Sequence, residues 1–204
     1  MDRFHLSFIV LFALVAAIRL YYHYAARIWQ GRRTPEGVLA FFFRACVGLP
    51  AIAIIVLYMF RPGILRWANV PLSAGWRWLG AVLFALSLPL LVWIQRSLGR
   101  NYSPQLRIRA DHSLVTSGPY RFVRHPMYTT SLIIYAAMGL LSANWFIGGT
   151  GVAATLVIML SRTPREEAML SRTFGERYRR YMDSTGRFLP RWRVSQPLGG
   201  SPTR

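Results

Sequence analysis

Lysine is absent from this chain and acids are scarce: all 25 basic residues are arginine, 7 residues are acidic, and the formal charge is +18. Charge of either sign is sparse as well, at 16% of residues, where soluble chains carry roughly 25%, while 53% are hydrophobic. That balance excludes an ordinary soluble domain. One cysteine, Cys46, excludes an internal disulfide and is expected to be a small packing residue. No internal repeat is visible. The first apolar stretch lacks a clear small-residue cleavage site and is interrupted by Arg19, which speaks for a retained span rather than a signal peptide. Exclusive use of arginine points to a GC-rich genome and so to a bacterial cytoplasmic membrane, or to the endoplasmic reticulum if the source is eukaryotic.

The apolar residues come in blocks. Spans are expected at residues 4–22, 38–60, 76–94, 127–141 and 145–160, the last two short against the ~20 residues that cross a hydrocarbon core as helix. A single helix over residues 127–160 would be roughly 50 Å long, so a turn is needed. Ser142-Ala143-Asn144 and Gly148-Gly149-Thr150-Gly151 both offer one, giving a tight helical hairpin with its two ends on one side.

Arginine placement orients the spans. Arg27, Arg32, Arg33, Arg96, Arg100, Arg107, Arg109, Arg121, Arg124 and the ten from Arg162 to Arg204 fall on one side; Arg3, Arg61, Arg66 and Arg77 fall on the other. This asymmetry predicts an outside N-terminus and a cytoplasmic C-terminus. It also accounts for the basicity without nucleic acid, because arginines lie readily on anionic leaflets. Within the spans, Arg19 is expected to snorkel to an interface, whereas Arg44 either snorkels or finds a partner in a polar cavity.

The polar chemistry is concentrated in two segments beside the hairpin. Upstream, LGRNYSP (98–104) leaves a helix, residues 106–109 and 114–116 suggest a short hairpin lid, and Ser117-Gly118-Pro119 turns into YRFVRHPMY. Pro126 fits the first helical turn, where its missing donor costs nothing, which places His125 at the helix entrance near Tyr128. Gly118, Tyr120, Arg124, His125, Pro126 and Tyr128 within eleven positions form a candidate ligand site. Downstream, Arg165-Glu166-Glu167 is expected to begin a helix, with Glu167 near Leu170 and Phe174 on the packed face. The two acids are either favourable charges in a first helical turn or a grip for an amine-bearing ligand. Tyr178 and Tyr181 carry an amphipathic helix into Arg187-Phe188-Leu189-Pro190, a turn placed to fold back under the bundle.

LGRNYSP, DHSLVTSGPY, RHPMY, EEAML, FGERYRRY and GRFLP occur in an order and spacing that resembles the isoprenylcysteine carboxyl methyltransferase family and its phospholipid methyltransferase relatives, over residues 98–190. The resemblance implies an all-α integral membrane enzyme of about five transmembrane helices, with spans 1 to 3 in residues 1–97 and a catalytic core in residues 98–204 of one structural domain. It implies S-adenosyl-L-methionine in a cytoplasm-facing pocket and a lipid or prenyl-type acceptor from the bilayer. Thr130 stands where many relatives have glycine, a small residue that keeps the start of the fourth span open. Carried onto this chain, the cofactor site comprises Gly118, Tyr120, Arg124, His125, Pro126, Tyr128, Glu166 and Glu167. Arg165, Arg187 and Tyr178 are the catalytic candidates, with an arginine aligning a carboxylate acceptor, and no metal is required. Alignment and water exclusion then do most of the work. Carboxyl O-methylation is the expected reaction; phospholipid amine N-methylation or quinone or terpenoid O-methylation are the alternatives, and a non-catalytic scaffold the third.

Overall fold

A computed structural model describes residues 2–30, 38–99 and 113–191. Six α-helices follow one another: α1 (Arg3–Gln30), α2 (Val38–Phe60), α3 (Ala74–Leu98), α4 (Pro126–Ser142), α5 (Trp145–Phe174) and α6 (Glu176–Ser184). Short 3-10 turns occupy Pro62–Ala68 and Gly118–Arg121. Among the described residues there is no strand, only two isolated bridges. Of the hairpin lid expected from residues 106–109 and 114–116, the first arm lies outside the described residues and residues 114–116 form no strand; the LGRNYSP turn beyond residue 99 and the chain end past residue 191 also lie outside the described residues.

Four helices are long and apolar enough to cross a bilayer: 3–25 within α1, 42–60 within α2, α3 and α5. The fifth expected span is α4, only 17 residues long. Large apolar side chains such as Leu6, Leu20, Phe42, Leu86 and Leu160 stay exposed on the bundle, the arrangement expected where lipid is the solvent. Cys46, expected to pack inside, is exposed with them, since α2 turns that face away from its neighbours.

The interior forms where α1, α3 and α4 meet. Phe8, Phe84, Ile134, Ala137, Met138 and Leu141 are buried there, joined by Ile55 of α2 and Ile147 of α5. Small residues let the backbones approach. A methyl on Gly80 of α3 would lie 2.6 Å from Leu141 N, and one on Gly148 of α5 would lie 2.9 Å from Gly139 Cα of α4. Helices in lipid associate through such van der Waals packing, because apolar burial gives little there.

Of the two places where the hairpin might turn, the chain uses the first. Ala143 takes a left-handed φ of 52° and Asn144 caps α5 by accepting from Ile147 N at 3.2 Å. The 148–151 glycine run is helical and serves as the contact surface against α4. Asn144 also donates to Leu65 O at 2.8 Å and Asn69 Oδ1 at 2.9 Å, tying the hairpin tip to the α2–α3 connection.

The expected helix start at Arg165 is overturned. α5 runs unbroken through Pro164 to Phe174. Thr155, Met159, Thr163 and Glu167 recur every four residues on its buried face, and burial along that face carries the helix past the hydrogen bond the proline forfeits. Glu166 and Glu167 therefore sit in the interior of a long helix, and a helix-start dipole does not explain them.

Candidate active site

Glu167 is the centre of the polar chemistry. It is 6% exposed and lies beyond the level at which α4 begins, so α5 presents it to the segment that precedes α4. Arg124 Nε and Nη2 both donate to its Oε1 at 3.1 Å, and His125 Nε2 lies 3.2 Å from the same oxygen. Arg187 Nε donates to Oε2 at 3.0 Å, and Arg187 Nη2 bonds the same oxygen. One buried carboxylate thus collects two guanidinia and an imidazole from two separated stretches of chain. Such charge-assisted contacts are stronger than neutral ones, and burial of Glu167 requires them.

The loop on either side is built to deliver these groups. Gly118 has a φ of 59°, and a methyl there would lie 2.5 Å from Ser97 Oγ, so glycine lets the 3-10 turn close onto the inner end of α3. Pro126 occupies the first position of α4 with His125 as its cap residue, as the sequence predicts. His125 is itself 6% exposed and its ring faces Tyr128 and Phe188 at centroid separations of 6.1 and 5.8 Å.

Residues past α6 fold back as a strap along this loop. Arg124 N donates to Gly186 O at 2.8 Å, His125 N to Arg187 O at 3.1 Å, and Thr129 Oγ1 to Phe188 O at 2.9 Å. A methyl on Gly186 would lie 1.9 Å from Leu189 O, so only glycine permits the tight turn. Arg124 Nη1 reaches Met182 O at 3.0 Å and also bonds Thr185 O. Tyr181 Oη donates to Tyr120 O at 2.5 Å, locking α6 to the 3-10 turn.

Burial pushes the Tyr178 phenol well above its ordinary range, and the charge of Glu167 adds to this. Burial likewise raises Tyr181, against the opposing charge of Arg124. The hydrogen bonds to Glu167 raise Arg187 in turn. Both phenols therefore stay neutral at physiological pH.

The structure brings together Arg124, His125, Glu167 and Arg187, with Tyr120, Pro126, Tyr128 and Tyr178 around them. Gly118 supports the loop from α3. Glu166 is half-buried within electrostatic reach of Tyr128 and Tyr178. Arg165 is exposed on α5, two positions and so about 200° of helix from Glu167. Arg19, expected to snorkel, donates to Ser131 Oγ of α4 at 2.9 Å. Several residues escaped the sequence reading. Thr163 lies one turn before Glu167 on the same face; Thr163 Oγ1 and Tyr178 Oη are buried without a hydrogen-bond partner among the described residues. The four-residue spacing to Glu167 was the available signal for Thr163; the strap contacts of Thr185 and Gly186 are backbone contacts and left none.

Comparison with known proteins follows the same half of the chain. A family model described as phospholipid methyltransferase matches residues 76–177. A probable protein-S-isoprenylcysteine O-methyltransferase of Oryza sativa subsp. indica is 34% identical over 97 residues, covering 45% of this chain and 49% of that protein. Protein-S-isoprenylcysteine O-methyltransferase A of Arabidopsis thaliana is 32% identical over 97 residues, covering 45% and 48%. The chain thus spans about half the length of the curated relatives it matches. Its fold is similar to the solved structure of the eukaryotic intramembrane Ras methyltransferase ICMT, with a TM-score of 0.57 at 20% identity over 90% of this chain and 67% of that one.

Proposed function

Because the chain belongs to the phospholipid methyltransferase family, we propose that it is an S-adenosyl-L-methionine-dependent methyltransferase that esterifies a carboxylate on a lipid-linked or prenyl-type acceptor at the cytoplasmic surface of a membrane. The observation that carries this is the Glu167 cluster: a buried, charge-dense group of side chains at the foot of an apolar helical hairpin. The curated relatives are named as isoprenylcysteine O-methyltransferases, which favours a carboxyl acceptor over an amine.

The residues fit such a cofactor. Buried Thr163 Oγ1 and Tyr178 Oη need partners that a ligand rich in hydroxyl and amino groups supplies. With Nε2 of His125 turned to Glu167, its Nδ1 is left to face the ligand, and the half-exposed Arg187 guanidinium would meet a carboxylate. Glu166 would hold an amino group, and the faces of Tyr128 and Tyr120 favour a cationic sulfur. In this arrangement Glu167 acts by fixing Arg124, His125 and Arg187 in place, alongside the contribution to amine binding expected from its sequence position. Arg165 remains a candidate for guiding the acceptor along the outer face of α5.

The cofactor supplies a methyl group on a positively charged sulfur, already bonded to a good leaving group. The chain's task is then alignment. An acceptor carboxylate is ionised at neutral pH and needs no general base, so the helices have only to hold it in line and keep water out. Tyr178, neutral by burial, would take part as a hydrogen-bonding wall.

Membranes carrying the protein, incubated with methyl-labelled S-adenosylmethionine, should incorporate label into a lipid-extractable product from which base releases methanol. Base-stable label would instead identify amine or ring-hydroxyl methylation and overturn the carboxyl assignment.

A further inference from the structure

At the end of the bundle opposite the Glu167 cluster lies a cavity of about 750 Å³, within the roughly 300–1,000 Å³ typical of ligand sites. The start of α1, the end of α2, the α2–α3 connection and the hairpin tip form its walls. Two of those walls are pinned to each other. Val70 N donates to Ala143 O at 2.8 Å, and Asn144 donates to Leu65 O and Asn69 Oδ1. The 3-10 turn Pro62–Ala68 is thereby held to the tip, and it lines the cavity through Arg66.

Other basic side chains here are committed to the fold. His5 Nε2 lies 3.2 Å from Met59 O, which can only accept, and so donates to the last turn of α2. Arg77 Nε donates to Leu141 O at 3.1 Å, its Nη1 pairs with Asp2 Oδ2 at 3.3 Å, and its guanidinium lies 3.9 Å above the Phe4 ring. Arg3 lies over the rings of Phe4 and Trp78. Arg66 is different: it is exposed, lines the cavity, and takes part in no ion pair or side-chain hydrogen bond among the described residues. At this end Arg3, Arg61, Arg66 and Arg77 face a single acid, Asp2, which Arg77 already holds. A ligand that enters meets uncompensated positive charge, and an oxyanion is the group that answers it.

The surrounding side chains select what carries that anion. Phe60 and Val70, which share the cavity with Arg66, and Ile64 and Trp67, which share its 3-10 turn, are all exposed. Trp67 meets Trp145 of α5 edge to face, with ring centroids 5.7 Å apart. Indole rings settle at the head-group level of a bilayer, so a guanidinium beside them stands where phospholipid phosphates stand. A free ion would leave the apolar rim in water, whereas the head group and glycerol of a lipid cover it.

We propose that this cavity is a binding site for an anionic phospholipid, with its phosphate on Arg66, Arg77 adding to the positive field, and its glycerol end against Phe60 and Val70. No residue of the Glu167 cluster takes part, so the assignment stands apart from the methyl-transfer reading. A lipid seated there bridges the start of α1 to the hairpin tip and steadies the bundle from the side remote from the chemistry.

The test uses the full chain in dodecyl maltoside micelles and three probes: dioctanoylphosphatidylglycerol, dioctanoylphosphatidylcholine and inorganic phosphate. Phosphatidylglycerol should raise the thermal midpoint saturably, with one tightly bound molecule per chain in native mass spectrometry. Phosphatidylcholine, whose phosphate is offset by its own choline, should bind several-fold more weakly, and phosphate at the same concentration should not shift the midpoint. Arg66→Gln should weaken phosphatidylglycerol binding about fivefold, the loss expected for one partly exposed charged hydrogen bond. Arg66→Lys should recover part of it. Arg61→Gln, at an exposed arginine that does not line the cavity, should leave binding unchanged. Both arginines are exposed, so each variant should match the parent's midpoint without lipid. Phosphatidylglycerol that never saturates, or that binds Arg66→Gln as tightly as the parent, overturns the proposal. Equal weakening by Arg61→Gln and Arg66→Gln does the same, because net charge alone would then attract the lipid. Phosphate that stabilises as well as the lipid also overturns it, leaving a site for a free anion.

Discussion

Gly139 and Gly148 touch across the α4–α5 hairpin, with room for no side chain between them: a methyl added to Gly148 would lie 2.9 Å from Gly139 Cα. This contact fixes the register of the two helices, and with it the height at which Glu167 meets His125. Gly148→Ala should force the helices apart at a cost of about 1 to 3 kcal/mol, lowering the thermal midpoint in detergent. It should also weaken cofactor binding from a distance. A variant as stable and as tightly binding as the parent would show that the register is set elsewhere.

Glu167 should matter far more than its neighbour. Glu167→Gln leaves Arg124, Arg187 and His125 around an uncharged amide, and losing one partner of a buried ion pair costs on the order of 3 kcal/mol; Arg187 is half-exposed and contributes the smaller share. Cofactor affinity should fall about ten- to a hundred-fold. Glu166→Gln, which removes only the contact proposed for the amino group, should leave stability nearly unchanged and weaken binding less than Glu167→Gln does. Equal, mild effects measured by calorimetry would mean that the cofactor is held elsewhere.

His125→Ala should weaken binding of S-adenosylmethionine and its demethylated product while the protein stays folded. Its backbone amide keeps the bond to Arg187 O, so the strap still docks. Unchanged affinity would remove the imidazole from the site.

Topology is predicted by the same geometry. Val70 N donates to Ala143 O at 2.8 Å, which places the α2–α3 connection at the hairpin tip, opposite the Glu167 cluster. With the arginine-rich end inside, reporters fused at Val70 should read as external and those after Arg191 as cytoplasmic. A cytoplasmic reporter at Val70 would reverse the orientation and put the site on the outer surface.

Alkaline stability should follow the two buried phenols. Tyr178 and Tyr181 titrate above the ordinary range, so the native state holds their protons more tightly than the unfolded chain does. Their contribution is therefore complete below about pH 10, the ordinary tyrosine value, and is lost as pH rises beyond it. Thermal midpoints should be level up to about pH 10 and fall above it, together with the delayed appearance of tyrosinate absorbance. Midpoints that stay level through pH 11 would contradict this burial.

Much of this was legible in the sequence because it is written in local patterns. Apolar run length gave the helices, Pro126 gave the start of α4, and Ser142-Ala143-Asn144 was one of the two places offered for the turn. Glu167 stood out from Glu166 through its spacing to Leu170 and Phe174, and it is the buried member of the pair. What failed was punctuation. A helix start is expected at Arg165, yet α5, buried along one face at Thr155, Met159 and Thr163, runs on through Pro164. What stayed invisible depends on contacts far apart in sequence: the pairing of Glu167 with Arg124, His125 and Arg187, and the strap from Gly186 to Phe188. No periodicity reports an encounter between segments that lie twenty to sixty residues apart.

The shortness of α4 bears on where an acceptor would be met. Its 17 residues span about 25 Å at ~1.5 Å per residue, some 5 Å less than a ~30 Å hydrocarbon layer. With its tip at the outer boundary, its first residue lies below the opposite boundary, and a mismatch of this sign is met by a local dimple in the leaflet. Under the proposed function, head groups drawn inward beside α4 would bring an amphiphile in the leaflet to the depth of His125 without lifting it into water.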